Sequence, residues 1–326
     1  MMSVPTIDIG PYFDGGKAAR QAVARQIGDA CETIGFFSIV GHPVPQPLID
    51  QTFETAAAFY DQPQEVKDAV KPDNSAAARG YHRLGTKNLA KTLGYDNPPD
   101  LREQFYIGPL QDWSAHYARF PEAAFLYAPN IWPETPRDFR PVFSAYYGAL
   151  EALSKDLMRL FALALDLDEG FFDNKIDKHF ATLPANDYPA LGYDPLPDQV
   201  RCGEHSDFGS LTILAVGEGQ SGLQVKTREG AWMDVSTVRG QYVVNIGDMM
   251  QQWTNDRWIS NLHRVANPPP GQSTGARRQS IGFFLHPNYD ARIECLPSCK
   301  DWADPARYPP VLAGELMKQK MLSRAA

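Results

Sequence analysis

His205-Ser-Asp-Phe-Gly-Ser-Leu-Thr-Ile-Leu214, HSDFGSLTIL, decides how this chain is read. A histidine and an aspartate two positions apart precede an apolar run of strand type. On an extended backbone, side chains two apart share a face, so His205 and Asp207 can point into one cavity while Ser206 points away. Two such ligands need a third, and the chain offers six other histidines: His42, His82, His116, His179, His263 and His286. His263 is preferred. It sits in SNLHRVANPPP, a short strand that follows the apolar run QYVVNIGDMMQQW. Two histidines and one carboxylate make a facial ligand set suited to non-heme Fe(II), with coordination positions left open. The same set can hold a hydrolytic zinc.

Two further polar pairs occur at strand spacing. Arg278 and Ser280 in RRQSIGFF share a face, so a guanidinium and a hydroxyl can grip one carboxylate together. The apolar run IGFF argues for burial of Arg278, and a buried guanidinium calls for an anion. Asn186 and Tyr188 in ANDYP form the third pair. A metal at one end of a pocket and Arg278, Ser280 and Tyr188 at the other would fit a short dicarboxylate.

The composition limits the alternatives. Of 326 residues, 43% are hydrophobic and 21% charged, the balance of a soluble globular chain. The net charge of -8, with Lys and Arg scattered, argues against nucleic acid or an anionic membrane as partner. No apolar stretch reaches the roughly 18 residues of a membrane span, and the first residues lack a leader pattern, so the expected location is cytoplasmic. Cys31, Cys202, Cys295 and Cys299 form neither a CxxC pair nor a dense framework, and are read as buried thiols.

Helical spacing of Val23, Ile27, Cys31 and Ile34 predicts a helix that stops at Gly35, followed by the strand FFSIV. A second helix follows with Ile49, Phe53, Ala57 and Phe59/Tyr60 as its stripe. Residues 75–136 are expected to be irregular, and the strongest helical pattern runs from Phe143 to Ala164. After Lys178 come short alternating segments, including a hairpin in GLQVKTREGAWMDV turning at Arg228-Glu229-Gly230. These patterns predict an α+β chain with an N-terminal region (1–130) of helices plus strands that join the core sheet, then a long helix followed by a double-sheet core within 131–326.

HSDFGSLTIL, LHRV and RQS together resemble the HxD…H…RxS pattern of Fe(II)- and 2-oxoglutarate-dependent dioxygenases of the isopenicillin N synthase-like group. ANDYP is similar to the NxYP element of that family, and VPTIDIGPY with GFFSIVGHPVP resembles its N-terminal region. The resemblance covers nearly the whole chain. It implies a distorted double-stranded β-helix, or jelly-roll, with Fe(II) on His205, Asp207 and His263. It also implies that Arg278 and Ser280 bind the distal carboxylate of 2-oxoglutarate, helped by Tyr188 and Asn186. O2 would be consumed and succinate and CO2 released, coupled to hydroxylation, desaturation or cyclisation of a small specialised metabolite. Two departures stand out: Gly41-His42-Pro43 replaces the usual NHG, and PPPGQSTG lengthens the segment before Arg278.

Three other readings compete: an isopenicillin N synthase-type oxidase that does not use 2-oxoglutarate, a zinc hydrolase, and a non-catalytic jelly-roll binding protein. Tyr81, Phe105, Tyr106, Tyr193 and Phe284 are the aromatic candidates for the substrate mouth, and Arg79 and Arg201 are candidates for meeting a substrate carboxylate. The sequence does not express an oligomeric state.

Overall fold

The computed structural model describes residues 3–74, 78–95, 97–217, 222–268 and 277–325, with residues 321–325 described by their backbone alone. Strand β1 (Thr6–Asp8) leads through the short α1 (Gly10–Asp14) into α2 (Lys17–Thr33). Val23, Ala24, Ile27, Ala30 and Cys31 make the buried face of α2, close to the predicted stripe. The helix stops at Gly35, whose φ of +71 favours glycine and where a Cβ would lie 1.9 Å from the Ile259 carbonyl oxygen. Strand β2 (Phe36–Val40) follows, then α3 (Gln46–Tyr60) and α4 (Gln64–Asp68). The buried face of α3 is Ile49, Thr52, Thr55, Ala56, Phe59 and Tyr60, whereas Phe53 and Ala57 are only half-buried. The predicted stripe is therefore rotated part of a turn, because it gives weight to Phe53 and none to the two threonines.

Residues 75–136 are not merely irregular. They contribute β3 (Gly80–His82), β4 (Glu103–Ile107) and the short helix α5 (Ala123–Leu126). EQFYI alternates weakly in polarity because both of its faces are buried, so the period-2 signal is lost. Helix α6 (Phe139–Ala164) is the long helix the spacing predicts. Then come β5 (Leu183–Tyr188), β6 (Cys202–His205), β7 (Leu211–Val216), β8 (Leu223–Lys226), β9 (Trp232–Asp234) and β10 (Tyr242–Ile246). Helix α7 (Asp248–Trp253), β11 (His263–Val265), β12 (Arg278–Leu285), β13 (Arg292–Ile293), β14 (Val311–Leu312) and α8 (Ala313–Ala325) complete the order. Strands β8 and β9 pair as the predicted hairpin.

An eight-stranded sheet, β1-β2-β10-β7-β12-β5-β4-β3, stacks on a four-stranded sheet, β6-β11-β8-β9. Strands from the first 130 residues extend the large sheet at both edges, so the sheet is continuous across the boundary expected near residue 130. One face of the large sheet carries Phe37, Ala185, Ile281, Phe283 and Val244, in one apolar cluster with α2, α3 and α6. The other face meets the small sheet through Phe36, Val243, Leu223, Val225 and Val235. The arrangement is the expected jelly-roll with a helical cover.

Among the described residues no helix is long and apolar enough to cross a membrane. The four cysteines are buried and free. His42, in the Gly41-His42-Pro43 departure, contacts the Gly240 carbonyl at 3.1 Å. PPPGQSTG lies outside the described residues from Pro269 onward.

Candidate metal centre and cosubstrate pocket

The two stacked sheets hold polar side chains on their inner faces at one end. Strand β6 ends at His205, which pairs across the ladder with His263 on β11. Asp207 is not on the strand, as strict alternation would have it, but in the turn just beyond it. That turn is pinned by its backbone: Asp248 N–H donates to the Asp207 carbonyl at 2.7 Å and Ser210 N–H to the Leu285 carbonyl at 2.8 Å. Gly209 permits the close approach, since a Cβ there would sit 2.3 Å from the Leu285 oxygen.

The Nε2 atoms of His205 and His263 each lie 3.7 Å from Asp207 Oδ1. Ligand atoms of all three residues lie within 4.8 Å of one another, and all three are buried. The Nδ1 atoms are engaged elsewhere, His205 with the Gly203 carbonyl at 2.8 Å and His263 with the Asn261 carbonyl at 3.2 Å. A carbonyl partner requires Nδ1 to carry the proton, which leaves Nε2 as a lone pair facing Asp207. The carboxylate is divided in the same way. Its Oδ2 accepts from Thr212 Oγ1 at 2.5 Å and Asn245 Nδ2 at 2.7 Å, leaving Oδ1 toward the histidines.

Thr212 and Asn245 face each other across the β7–β10 pair. The sequence reading misses both. Their signal is present as single polar residues at inward parity in otherwise apolar strands.

The electrostatics favour the ligand form. Burial, and then the neighbouring His263, hold His205 below the ordinary imidazole value, which keeps it neutral. Burial pushes Asp207 upward, but the two imidazoles and the bonds from Asn245 and Thr212 outweigh it, so its pKa is lowered. Two neutral imidazoles and a carboxylate, each oriented by a second partner, fit a divalent first-row metal such as Fe(II).

Arg278 and Ser280 occupy the inward parity of β12, opposite Tyr188 and Asn186 of β5. Arg278 is 1% exposed, with Nη1 donating to Ser280 Oγ at 3.2 Å and its guanidinium 4.8 Å from the Tyr188 ring centre. Burial lowers its pKa. Asn186 Nδ2 donates to Ser280, and its Oδ1 accepts from Gln104 Nε2 at 2.7 Å.

Beside the triad opens a cavity of about 170 Å³. His205, Asp207 and Asn186 line it together with Tyr106, Phe208 and Phe284. Phe180 and His286, stacked at 5.1 Å, form part of its wall, and Leu126 and Met317 bring α5 and α8 to it.

The substrate candidates divide by parity. Phe284 and Arg79 line this cavity, but the Arg79 guanidinium donates to the carbonyls of Ala78, Leu126 and Ala128. Tyr81 and Phe105 pair directly across β3 and β4 and point the other way, into the helical side. Phe105 packs on Phe59 and Phe139 at 5.0 and 4.7 Å, while the Tyr81 hydroxyl donates to Glu103, itself bridged to Lys67. Neither reaches the cavity. Tyr193 is 54% exposed and lies outside it, and Arg201 lines a separate small cleft. Tyr106, one residue from Phe105, is the aromatic that strand β4 presents inward.

Residues 4–135 match the family model described as non-haem dioxygenase in morphine synthesis N-terminal, and residues 181–287 match that of the 2OG-Fe(II) oxygenase superfamily. The 2-oxoglutarate-Fe(II) type oxidoreductase hxnY of Emericella nidulans is 35% identical over 319 residues, covering 96% of this chain and 88% of the relative. The chain belongs to the 2-oxoglutarate- and Fe(II)-dependent oxygenases. The oxygenase is also 31% identical to validamycin A dioxygenase of Streptomyces hygroscopicus subsp. limoneus, over 98% of this chain and 86% of that one. The crystal structure of a full-length Neurospora crassa protein in complex with alpha-KG superposes with a TM-score of 0.87 at 28% identity, covering 98% and 96% of the two chains. The same Neurospora protein is also described in complex with thymine. These relatives favour the cosubstrate-using enzyme over the oxidase, hydrolase and binding-protein readings. The oxygenase couples oxidative decarboxylation of 2-oxoglutarate, to succinate and CO2, to oxidation of a small molecule.

Proposed function

We propose that His205, Asp207 and His263 hold Fe(II), that Arg278 and Ser280 bind the distal carboxylate of 2-oxoglutarate, and that Tyr188 and Asn186 complete the cosubstrate pocket. The observation that carries this is the inward cluster of Arg278, Ser280, Tyr188 and Asn186 on adjacent strands of the sheet that also carries Thr212 and Asn245, the partners of Asp207. When bound, Fe(II) supplies open coordination positions and the redox chemistry that consumes O2. The chain's own part is to orient and to exclude water. Thr212 and Asn245 fix the carboxylate, Gly203 and Asn261 fix the imidazole tautomers, and the buried Arg278 offers a directional charge to a carboxylate.

The substrate is a small, largely apolar or aromatic molecule of specialised metabolism, hydroxylated, desaturated or cyclised beside the triad. Tyr106, Phe125, Phe180, Phe208 and Phe284 around the cavity support the apolar or aromatic character, and relatives named for or bound to a small molecule support its size class. The ordered HxD…H…RxS and NxYP elements support a place in the isopenicillin N synthase-like group, and the soluble, globular balance of the composition supports a cytoplasmic enzyme. The test is a metabolite panel scored for succinate release and O2 uptake, with Arg278→Ala as the discriminating variant. Leaving the partner carboxylate of a buried pair uncompensated costs about 3–5 kcal/mol, so the variant should need far more 2-oxoglutarate. An unchanged requirement would remove Arg278 from the cosubstrate site.

A further inference from the structure

The segment between β3 and β4 carries a buried ion pair that neither the ligand set nor the cosubstrate cluster accounts for. Asp100 is 2% exposed, and its Oδ2 lies 3.1 Å from Arg102 Nη2. Its Oδ1 accepts the Gly203 backbone N–H at 3.0 Å, and the Leu89 backbone also donates to it. The Asp100 N–H in turn donates to the Lys87 carbonyl at 2.8 Å. Gly203 is the residue whose carbonyl engages His205 Nδ1. The contact leaves little slack: a Cβ on Gly203 would lie 3.0 Å from Ala90 Cβ and N and 3.3 Å from Asp100 Oδ1.

We propose that Asp100, held by Arg102, is a positioning residue for His205, acting through Gly203. The inference rests on the triad as metal site. The N–H given to Asp100 and the C=O facing His205 belong to different amides of Gly203, so the link acts by placement and not through conjugation within one peptide. If Gly203 shifts, the acceptor that sets the tautomer and ring angle of His205 shifts with it. Partners that orient a ligating histidine typically govern metal affinity by about 10–100-fold. Asp100 also ties this device to the cavity, because Lys87 and Leu89 line it and Arg102 Nη1 approaches Asn186 Oδ1 at 3.5 Å. One carboxylate thereby joins the wall of the cavity to the orientation of a metal ligand.

The test uses the full chain and Mn(II) or Co(II) as probes, in the absence of substrate. The double variant Asp100→Ala/Arg102→Leu removes both charges, so no buried ion is left uncompensated. It should bind Mn(II) about tenfold more weakly and change the visible absorption of the Co(II) form. Arg102→Lys, which keeps a cation beside Asp100 and so retains Asp100 on Gly203, should keep the wild-type Co(II) spectrum. Gly203→Ala should weaken Mn(II) as the double variant does, and serves if the double variant fails to fold. Wild-type affinity and spectrum in both the double variant and Gly203→Ala would overturn the inference, as would an Arg102→Lys loss equal to that of the double variant. His205→Ala is the control: if it still binds Mn(II) like wild type, the triad itself is wrong, a failure distinguishable from that of Asp100 alone.

Discussion

Gln104 faces Asn186 across the β4–β5 pair, its Nε2 donating to Asn186 Oδ1 at 2.7 Å. The direction of this bond is fixed from the far side. Asn186 Nδ2 points to the Ser280 carbonyl, which can only accept, so Asn186 Oδ1 must face Gln104. A strand from the N-terminal region thus orients a side chain of the cosubstrate cluster.

Gln104→Leu should raise the KM for 2-oxoglutarate severalfold, since Asn186 Oδ1 would keep only the long contact to Arg102 Nη1 and a lost buried hydrogen bond costs about 0.5–1.5 kcal/mol. Succinate release against 2-oxoglutarate concentration measures it. An effect confined to kcat would place Gln104 outside cosubstrate binding.

Phe105 and Tyr106 should behave oppositely. Phe105→Ala empties a site between Phe59 and Phe139 and should cost about 3–5 kcal/mol in urea unfolding. Tyr106→Ala should leave the unfolding midpoint much closer to wild type and change the KM of the primary substrate found in the panel. Equal stability losses would argue against the strand parity described for β4.

Asn245→Leu removes a donor from Asp207 Oδ2 and should weaken Mn(II) binding by about 10–100-fold, read by calorimetry. His205→Ala and Asp207→Ala should abolish metal binding and turnover while the circular dichroism spectrum stays native. If either retains wild-type turnover, the ligand assignment fails.

The metal-free protein should lose stability in acid through His205. Its folded pKa is depressed by burial and by His263, while the unfolded chain takes up a proton near the ordinary value of 6.5. Below about 6.5 the unfolded state binds more protons than the folded one, so this contribution is present above that pH and is progressively lost as pH falls. Thermal unfolding midpoints of the apo protein should drop more steeply with acid in the wild type than in His205→Gln. Parallel pH profiles would show that His205 titrates alike in both states.

Legibility in the sequence follows the kind of signal each residue carries. His205, Asp207, His263 and the Arg278/Ser280 pair are readable because paired polar residues recur along the chain in the order of the HxD…H…RxS pattern, although a single HxD tripeptide is common by chance. The α2 and α6 stripes are readable because one face of each helix is buried and the other is wet. Strand β4 is not, since both of its faces are covered and no alternation of polarity survives. Tyr81 and Phe105 are misread as mouth residues for the same reason. Aromatic identity says nothing about which side of a pleat a residue takes, and a shift of one position moves a side chain to the opposite face.

The sequence by itself determined the long helix α6, most of the core strands after Lys178, the three candidate metal-site residues and the guanidinium–hydroxyl pair. Local periodicity and residue chemistry suffice for these. Only the tertiary structure decided that Asp207 stands in a turn held by Asp248 and Leu285, that Thr212 and Asn245 share its second oxygen, and that Asp100 reaches Gly203. These contacts join residues from separate strands and turns, most of them far apart along the chain. Sheet pairing and loop closure set them, and no local pattern records them.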